Sequence, residues 1–406
     1  MLGLSEIEII EIKLLEDNTL NIWVSSTKEG CHCHQCGKSI NQFHGSGEEI
    51  KLRHLPIFNY KTFILIKPKR YSCQYCNNTI TTTQEMGWHR PKVKQTKPFE
   101  ESILLDLINS TVKDVSLKKT IGYDIVENIL KSYLSPQVNW DEIKSIDIMG
   151  IDEISLKKGH KDFVVIVSAY IKGELRVLGV LGNRTKAEVK KFFLSIPKRL
   201  RKKIGAICTD LYKGFINAAK EVFGRKVMII ADRFHVVKLY RKGLESLRKK
   251  EMNRLKKELS DSDYKLLKNV MWLLRNSFNE LSSDEQKRLN RLFILSPIIK
   301  QAYDLCEHLT FIYKSNLTTG QAKRKISGWI QRVKNSELTC FNSFLKTLNI
   351  HYTEIINYFI NRHSSGFVEG LNNKIKVIKR RCYGITNIDN LFRRIYLDLN
   401  GYSIFT

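Results

Sequence analysis

The stretch that decides the fold reads SIDIMGIDEISL (residues 145–156), DFVVIVSAYI (162–171) and ELRVLGVLGN (174–183). Each piece is rich in β-branched and apolar residues, which is typical of strands in a sheet. Short polar segments separate the pieces at 157–161 and at Lys172-Gly173, where we expect turns. The sequence therefore predicts three consecutive strands in a meander.

The residues that follow predict alternating helices and strands. A helix is expected at 185–195, then a strand in KKIGAICTD (202–210), a helix in LYKGFINAAKEVF (211–223) and a strand in RKVMIIADRFH (225–235). A meander followed by α-β-α-β is the element order of a ribonuclease-H-like mixed sheet. Beyond it, residues 239–361 have a helical and basic pattern, with Ser283 and Gln286 at the spacing of a capping box.

The composition predicts a soluble protein that meets nucleic acid. The 406 residues include 68 Lys and Arg against 41 Asp and Glu, a net charge of +27. A lysine-rich organism or a membrane-surface role would also give a basic chain, but no basic amphipathic helix stands beside a lipid anchor. The apolar runs are too short to cross a bilayer, and the N-terminus has no signal-peptide pattern. We expect a cytoplasmic, nucleoid-associated protein without a membrane partner.

Two cysteine pairs predict a structural zinc site. The pairs lie in CHQCG (33–37) and YSCQYC (71–76), and five of the nine cysteines lie between residues 31 and 76. Each CxxC turn holds two thiolates on one side of a tight loop, and two turns complete a tetrahedral Zn²⁺ shell. Redox or coincidental pairs are the alternative. The expected ligands are Cys33, Cys36, Cys73 and Cys76, with Cys31, His32 or His34 as possible substitutes.

Three carboxylates predict a second metal site. Asp152 falls inside the first strand of the sheet, where a charge is costly without a partner. Asp210 ends the fourth strand, and Glu369 begins the last predicted helix segment, GFVEGLN. Three carboxylates without a nitrogen ligand suit Mg²⁺ or Mn²⁺. The alternatives are a helix N-cap for Asp210 and a helix-dipole partner for Glu369.

Basic residues predict a DNA-binding surface next to Glu369. Lysines and arginines within a few turns of that position could hold the phosphate backbone near a scissile bond. These residues are Lys374, Lys376, Lys379, Arg380 and Arg381. Trp272 and Trp329, in the helical region, are expected in the core rather than exposed for stacking on bases.

Six segments together resemble the ISL3 family of bacterial insertion-sequence transposases over residues 31–400. The resemblance implies a DDE catalytic domain with Asp152, Asp210 and Glu369 as its triad. It also implies cleavage at the terminal inverted repeats and joining of the freed 3′ ends to target DNA. The last of the six segments is the most specific. The segments are CHQCG, YSCQYC, GIDEISLKKGH, AICTDLYKGF, IIADRFHVVK and SSGFVEGLNNKIKVIKRRCYGI.

A fourth acidic residue is also a feature of that family. Asp232, in ADRFH, ends the fifth strand. We assign the second metal-ligand role to Asp210 because the fourth strand carries that ligand in the fold that the resemblance implies. Asp232 and His235 are then expected to order the site or to contact phosphate.

The predicted organisation is a multidomain α+β protein with five segments. Its expected partners are double-stranded DNA, at transposon ends and target, and further copies in a homodimer or higher oligomer. The alternative function is a catalytically inactive or domesticated DNA-binding regulator, but carboxylates at all three triad positions favour the enzyme. The segments are a zinc-binding domain (1–92), a helix-turn-helix-like DNA-binding domain (93–142), the first part of the catalytic core (143–238), an all-helical insertion (239–361) and the final core helix with Glu369 (362–406).

Overall fold

The computed structural model describes residues 2–76, 80–155, 163–224, 226–362 and 366–406, and the side chains of residues 361 and 366–369 lie outside that description. The turn predicted at 157–161 therefore falls outside the described residues. The chain forms two compact units, one of Met1–Pro136 with Arg393–Thr406 and one of Gln137–Phe392. No helix in the described part is long and apolar enough to cross a membrane.

Nine short strands form the first part of the N-terminal unit. They are β1 (Ile7–Leu14), β2 (Thr19–Ser26), β3 (Cys31–His32), β4 (Ser39–Ile40), β5 (Gln42–Ser46), β6 (Ile50–Arg53), β7 (Lys61–Ile66), β8 (Lys69–Ser72) and β9 (Thr81–Thr83). One sheet has the order β1-β2-β7-β6, with β2 parallel to β7. The first cysteine pair lies in the loop between β3 and β4, and the second pair lies between β8 and β9. Ile22, Val24 and Ile64 fill the core of the larger sheet.

Three helices follow in the same unit: α1 (Lys97–Leu107), α2 (Val112–Lys119) and α3 (Tyr123–Tyr133). The Thr111 side chain begins α2 by accepting the Asp114 N–H at 3.0 Å, which satisfies one unpaired amide of the first turn. Three residues join α2 to α3, and Thr120 takes the left-handed conformation there with φ 53°. Because apolar residues recur along one face of each helix, Phe99, Ile103 and Val126 are fully buried.

The second unit contains the five-stranded sheet that the sequence predicts. Its elements are β10 (Ile148–Ser155), β11 (Phe163–Ile171), β12 (Glu174–Leu181), α4 (Lys186–Ser195), α5 (Lys198–Arg201), β13 (Ala206–Thr209), α6 (Lys213–Phe223) and β14 (Met228–Ala231). The strand order is β12-β11-β10-β13-β14. β10, β11 and β12 form an antiparallel meander, and β13 and β14 run parallel to β10. The five strands and the helices α4 and α6 occur in the predicted order, and the one-turn helix α5 is an addition that was not predicted.

Helices fill the region predicted to be all-helical. They are α7 (Arg233–Glu258), α8 (Asp261–Lys265), α9 (Val270–Leu273), α10 (Ser283–Leu295), α11 (Pro297–Lys314), α12 (Thr319–Asn335), α13 (Asn342–Ile350), α14 (Tyr352–Ile356) and α15 (Tyr358–Asn361). The capping box at α10 is formed one residue earlier than predicted, by Ser282 and Glu285. An acidic Glu285 serves that role because its carboxylate accepts the Ser282 N–H.

The two tryptophans of this region differ in burial. Trp329 is fully buried, as predicted, and donates its indole N–H to the Leu305 carbonyl at 2.8 Å. For Trp272 the prediction is wrong, since its side chain is 57% exposed. The reason is that α9 makes only one turn, in which Val270 and Leu273 take the inward positions. Trp272 is left on the outer side of that turn.

Two helices close the described chain, α16 (Gly366–Arg381) and α17 (Ile388–Phe405). The later part of α17 belongs to the N-terminal unit. There Leu397 is fully buried in the core of α1–α3. The buried Arg394 guanidinium donates to the carbonyls of Leu107 and Ser110 at 2.9 and 2.7 Å. The final segment therefore contributes packing to a unit whose other residues come first in the chain.

Candidate functional site

The four predicted zinc ligands come together in the N-terminal unit. The sulfur atoms of Cys33, Cys36, Cys73 and Cys76 all lie within 4.8 Å of one another. Gly37 follows the first pair with φ 71°, a conformation that glycine adopts without strain. Its N–H donates to the Cys33 carbonyl at 2.9 Å and closes the knuckle. Four thiols clustered in this way fit a structural Zn²⁺ ion.

Two of the three alternative ligands, Cys31 and His34, have other hydrogen-bond partners. The Cys31 thiol donates to the Thr82 carbonyl at 3.8 Å, and His34 Nδ1 lies 2.9 Å from the Thr82 hydroxyl. Within the cluster, the backbone N–H groups of Cys36 and Gln35 lower the pKa of the Cys33 thiol to about 6. In the same cluster, the hydrogen bond with Cys73 raises the pKa of Cys76 to about 12. The lowered pKa of Cys33 favours its thiolate, which is the form that binds zinc.

A row of three aspartates crosses the sheet of the second unit. β10 and β13 are in register at Ile151 and Thr209, and β13 and β14 at Thr209 and Ala231. The next residue along each chain is an aspartate: Asp152, Asp210 and Asp232. Because the three strands are parallel neighbours, these carboxylates occupy equivalent positions about one strand spacing apart. We call them the carboxylate row.

Hydrogen bonds fix each member of the row. Asp152 accepts the Glu153 N–H at 2.7 Å, and Asp210 accepts the Tyr212 N–H at 2.9 Å. Asp232 begins α7: one oxygen accepts the Phe234 N–H at 2.7 Å, and the other accepts from His235 Nδ1 at 2.9 Å. Both oxygens of Asp232 therefore have a hydrogen-bond partner. For the second oxygen of Asp210, no partner is found among the described residues.

The electrostatics of the row favour a bound cation. Burial, reinforced by the charges of Asp210 and Asp232, raises the pKa of Asp152 to about 6. Burial also raises the pKa of Asp210. The hydrogen bond to Asp232 raises the pKa of His235, and the other two carboxylates act in the same direction. Clustered carboxylates resist ionisation until a positive charge neutralises them.

A residue of α16 reaches the row from another part of the chain. The Asn372 amide N–H donates to Asp152, and the side chain is almost fully buried. Its amide oxygen is buried and finds no partner in the described part of the chain, nor does the hydroxyl oxygen of Thr209, beside Asp210. Carboxylate and amide oxygens are the ligands that Mg²⁺ and Mn²⁺ prefer. The residues present therefore fit a hard divalent cation.

The helix α16 carries the remaining predicted residues. Glu369 lies on it, three positions before Asn372, and its side chain lies outside the described residues. Of the predicted DNA-binding residues, Lys374, Lys376 and Arg380 are exposed. Lys379 instead donates to the Ser155 carbonyl at 2.8 Å, which ties α16 to the end of β10. Arg381 is half-buried.

Two residues of the site were missed at the level of sequence. Asn372 stands within a quoted motif, and its spacing of three from Glu369, which places both on one helix face, could have indicated it. Arg184 lies 3.3 Å from Glu153, beside the row, and stacks over the Tyr212 ring at 5.2 Å. Nothing in the pattern around Arg184 distinguishes it from other surface arginines.

Comparisons with known proteins agree with one another. Residues 149–395 match the ISL3 family model described as a transposase. Residues 29–76 match the zinc-finger of the transposases of IS204, IS1001, IS1096 and IS1165. The chain is 25% identical over 378 residues to the transposase for insertion sequence element IS1001 of Bordetella parapertussis, covering 93% of this chain and 91% of that protein. It is 19% identical over 391 residues to the transposase for IS1557 of Mycobacterium tuberculosis, covering 91% and 86%.

Proposed function

The chain belongs to the ISL3 family of transposases, and on that premise we propose that it is a DDE transposase. In this proposal it binds the terminal inverted repeats of its insertion sequence, cleaves DNA there and joins the 3′ ends to target DNA. Asp152, Asp210 and Glu369 are the proposed ligands of the catalytic metal ions. Two bound Mg²⁺ or Mn²⁺ ions would supply activation of a water or 3′-hydroxyl and stabilisation of the leaving oxygen.

The observation that carries this proposal is the carboxylate row. Three acids side by side on parallel strands, with Asp232 buried and the other two half-buried, are costly unless a cation neutralises them. The sheet order β12-β11-β10-β13-β14 supports a ribonuclease-H-like core around the row. Asn372 holds Asp152 from α16. Residues three apart on a helix share a face, which supports Glu369 as the third acid.

The role of DNA reader is proposed for α2 and α3. Two short helices joined by a three-residue turn are typical of a helix-turn-helix, whose second helix enters the major groove. Tyr123, Asn128 and Lys131 are exposed on α3 and are the side chains that we propose to contact DNA. The exposed Lys374, Lys376 and Arg380 of α16 are proposed to hold phosphates near the scissile bond.

Assembly as a homodimer or higher oligomer is also proposed, with β1 as one contact between copies. β1 is an edge strand, and Ile9, Ile12 and Leu14 are exposed along it. If two β1 strands pair in antiparallel fashion about Ile12, Glu11 of each copy faces Lys13 of the other. Sedimentation of the parent and of Ile12→Lys tests this, with Ile404→Lys, an exposed isoleucine of α17, as control. An unchanged mass for Ile12→Lys would reject the contact.

The catalytic proposal is tested by Mg²⁺-dependent nicking of labelled duplexes made from the DNA that flanks the reading frame. Asp152→Asn keeps the shape of the side chain but removes a charge that holds the ion, so nicking should fall by several orders of magnitude. Asp152→Asn should still bind the same end duplexes. Asp284→Asn, at an exposed position of α10, is the matched control. A parent that binds the ends without nicking them would support the regulator instead.

A further inference from the structure

A cleft opens beside the carboxylate row, in the helical part of the second unit. Its volume is about 730 Å³, and it lies among α7, α9 and α11. We call it the α7 cleft and define it by Phe234, Lys238, Lys242, Met271, Leu274 and Arg275. A volume of this size accommodates a single small ligand and is far too small for a duplex.

The α7 cleft begins at the candidate catalytic residues. Phe234 lies between Asp232 and His235, and its own N–H is the group that Asp232 accepts at 2.7 Å. The rings of Phe234 and His235 meet edge to face with centroids 6.1 Å apart. Phe234, at the mouth of the cleft, therefore lies two residues from the row, close enough to reach a nucleotide beside a phosphate held there.

An aromatic and two lysines form a line along α7. Phe234, Lys238 and Lys242 are four residues apart, so they share one helix face at steps of about 6 Å. The Phe234 side chain is 51% exposed. Both lysines are exposed, and no ion pair to either is found among the described residues. The surface therefore offers a flat apolar ring followed by two cations.

The opposite wall is apolar in part, and the cleft is also lined by Ser277, Thr310 and two carboxylates in ion pairs, Glu245 with Arg248 and Glu280 with Lys314. Met271 and Leu274 line it, and Arg241 ties this segment to α7 by donating to the carbonyls of Leu274 and Arg275 at 3.0 and 2.9 Å. The Arg275 guanidinium stacks on the exposed Trp272 ring at 4.6 Å. An apolar slot between an exposed aromatic and cationic side chains is the chemistry that binds a nucleobase with its phosphates.

We propose that the α7 cleft binds an unpaired nucleobase of the DNA strand next to the bond cut at the carboxylate row. Phe234 stacks on the base, and Lys238 and Lys242 hold the adjoining phosphates. Only an unpaired base can leave the helical stack to present its face to a side chain. The inference rests on the proposed transposase function, since it uses the row to position the strand.

Binding is tested on the full chain with end duplexes in which one nucleotide at a time is mismatched across the cut position. Fluorescence anisotropy in EDTA should find one or two positions where the mismatched duplex binds more tightly than the perfect one. Phe234→Ala should weaken binding of those duplexes by about 5- to 150-fold, the range expected for one base stacked on an aromatic ring. The affinity of Phe234→Ala for perfectly paired duplexes should fall much less.

Matched variants separate stacking from folding. Phe234→Trp should retain the preference, and Phe311→Ala, which removes an exposed phenylalanine of α11 outside the cleft, should leave binding unchanged. Thermal melting checks that Phe234→Ala remains folded. Two results would overturn the inference. One is a mismatch preference that remains in Phe234→Ala. The other is an equal loss of affinity for perfect and mismatched duplexes, which would indicate that Phe234 contributes to binding of the duplex backbone.

Nicking of the same duplexes keeps the two proposals distinguishable. If the parent nicks the ends but shows no preference for any mismatch, the inference about the α7 cleft fails and the proposed function stands. If the parent nicks no end DNA under any metal condition, the proposed function fails. A gain in nicking rate at the preferred mismatch, absent in Phe234→Ala, would support both.

Discussion

At the scale of single residues, Asp210 and Asp232 differ in what their oxygens already bind. Asp232 accepts from the Phe234 N–H and from His235, so it has the environment of a helix cap that also orients an imidazole. Asp210 accepts only the Tyr212 N–H among the described residues. The pairing of Asp232 with His235 favours Asp232 as a positioning residue. The oxygen of Asp210 that has no partner among the described residues favours Asp210 as a ligand.

This difference predicts unequal effects on nicking. Asp210→Asn should abolish nicking, whereas Asp232→Asn should reduce it by about 10- to 100-fold, the usual cost of losing a residue that orients a ligand. His235→Gln should resemble Asp232→Asn, because each replaces one ionisable partner of the same hydrogen bond by a neutral amide. Rates are measured in single turnover, with end binding checked separately. If Asp210→Asn nicks normally and Asp232→Asn does not nick at all, the metal-ligand role belongs to Asp232 and the positioning role to Asp210.

At the scale of elements, the two cysteine knuckles depend on each other. β3 and β4 flank the first pair, and β8 and β9 flank the second. Such short ribbons bury little apolar surface, so a shared metal ion has to supply their folding free energy. Gly37 and the lowered pKa of Cys33 are consistent with this role.

We expect about one tightly bound zinc per purified chain, as a four-thiolate shell holds one ion. Cys73→Ser should release it and unfold the knuckles, while the sheet of the second unit keeps its structure. Metal content by mass spectrometry and limited proteolysis measure the two effects. Cys340→Ser, outside the cluster, is the control. A folded parent without zinc would contradict the prediction.

The burial of a residue of α17 predicts that this helix stabilises the N-terminal unit. Leu397 is fully buried in the core of α1–α3. Leu397→Ala should lower the free energy of unfolding of that unit by about 2–5 kcal/mol, through lost burial and a residual cavity. Urea unfolding of the full chain measures it, with the exposed Ile404→Ala as control. Equal unfolding free energies for the two variants would show that α17 contributes nothing to this core.

At the scale of the whole molecule, the net charge of +27 predicts a strong dependence of DNA binding on salt. Each phosphate contact contributes about 0.9 to the slope of log affinity against log salt. Replacing Lys374, Lys376 and Arg380 by Ala should therefore reduce the slope by up to about three such contributions. A charge-matched triple variant of Lys323, Arg324 and Lys325, exposed on α12, is the control. Equal slopes in both variants would exclude α16 as a phosphate surface.

How much of the molecule could be predicted from sequence depends on how local each signal is. The meander, the α-β-α-β order and the cysteine knuckles follow from alternation and spacing within a few residues. Asn372 meets Asp152 across 220 positions of chain, and no local pattern specifies such a contact. The burial of Trp272 was predicted wrongly because burial depends on which side of a helix faces the core. A one-turn helix buries only a few of its side chains, and in α9 these are Val270 and Leu273.

The packing of α17 also has a consequence for synthesis on the ribosome. Arg394 and Leu397 complete the core of the unit that contains the proposed reader helices, yet they are translated after the whole second unit. In a nascent chain, the core around the proposed DNA-reading helices would thus remain incomplete until the second unit has emerged from the ribosome. A product stopped by a nonsense codon before Arg393 would retain every cysteine of the zinc cluster and still lack that core, making it a poor competitor for the element's ends.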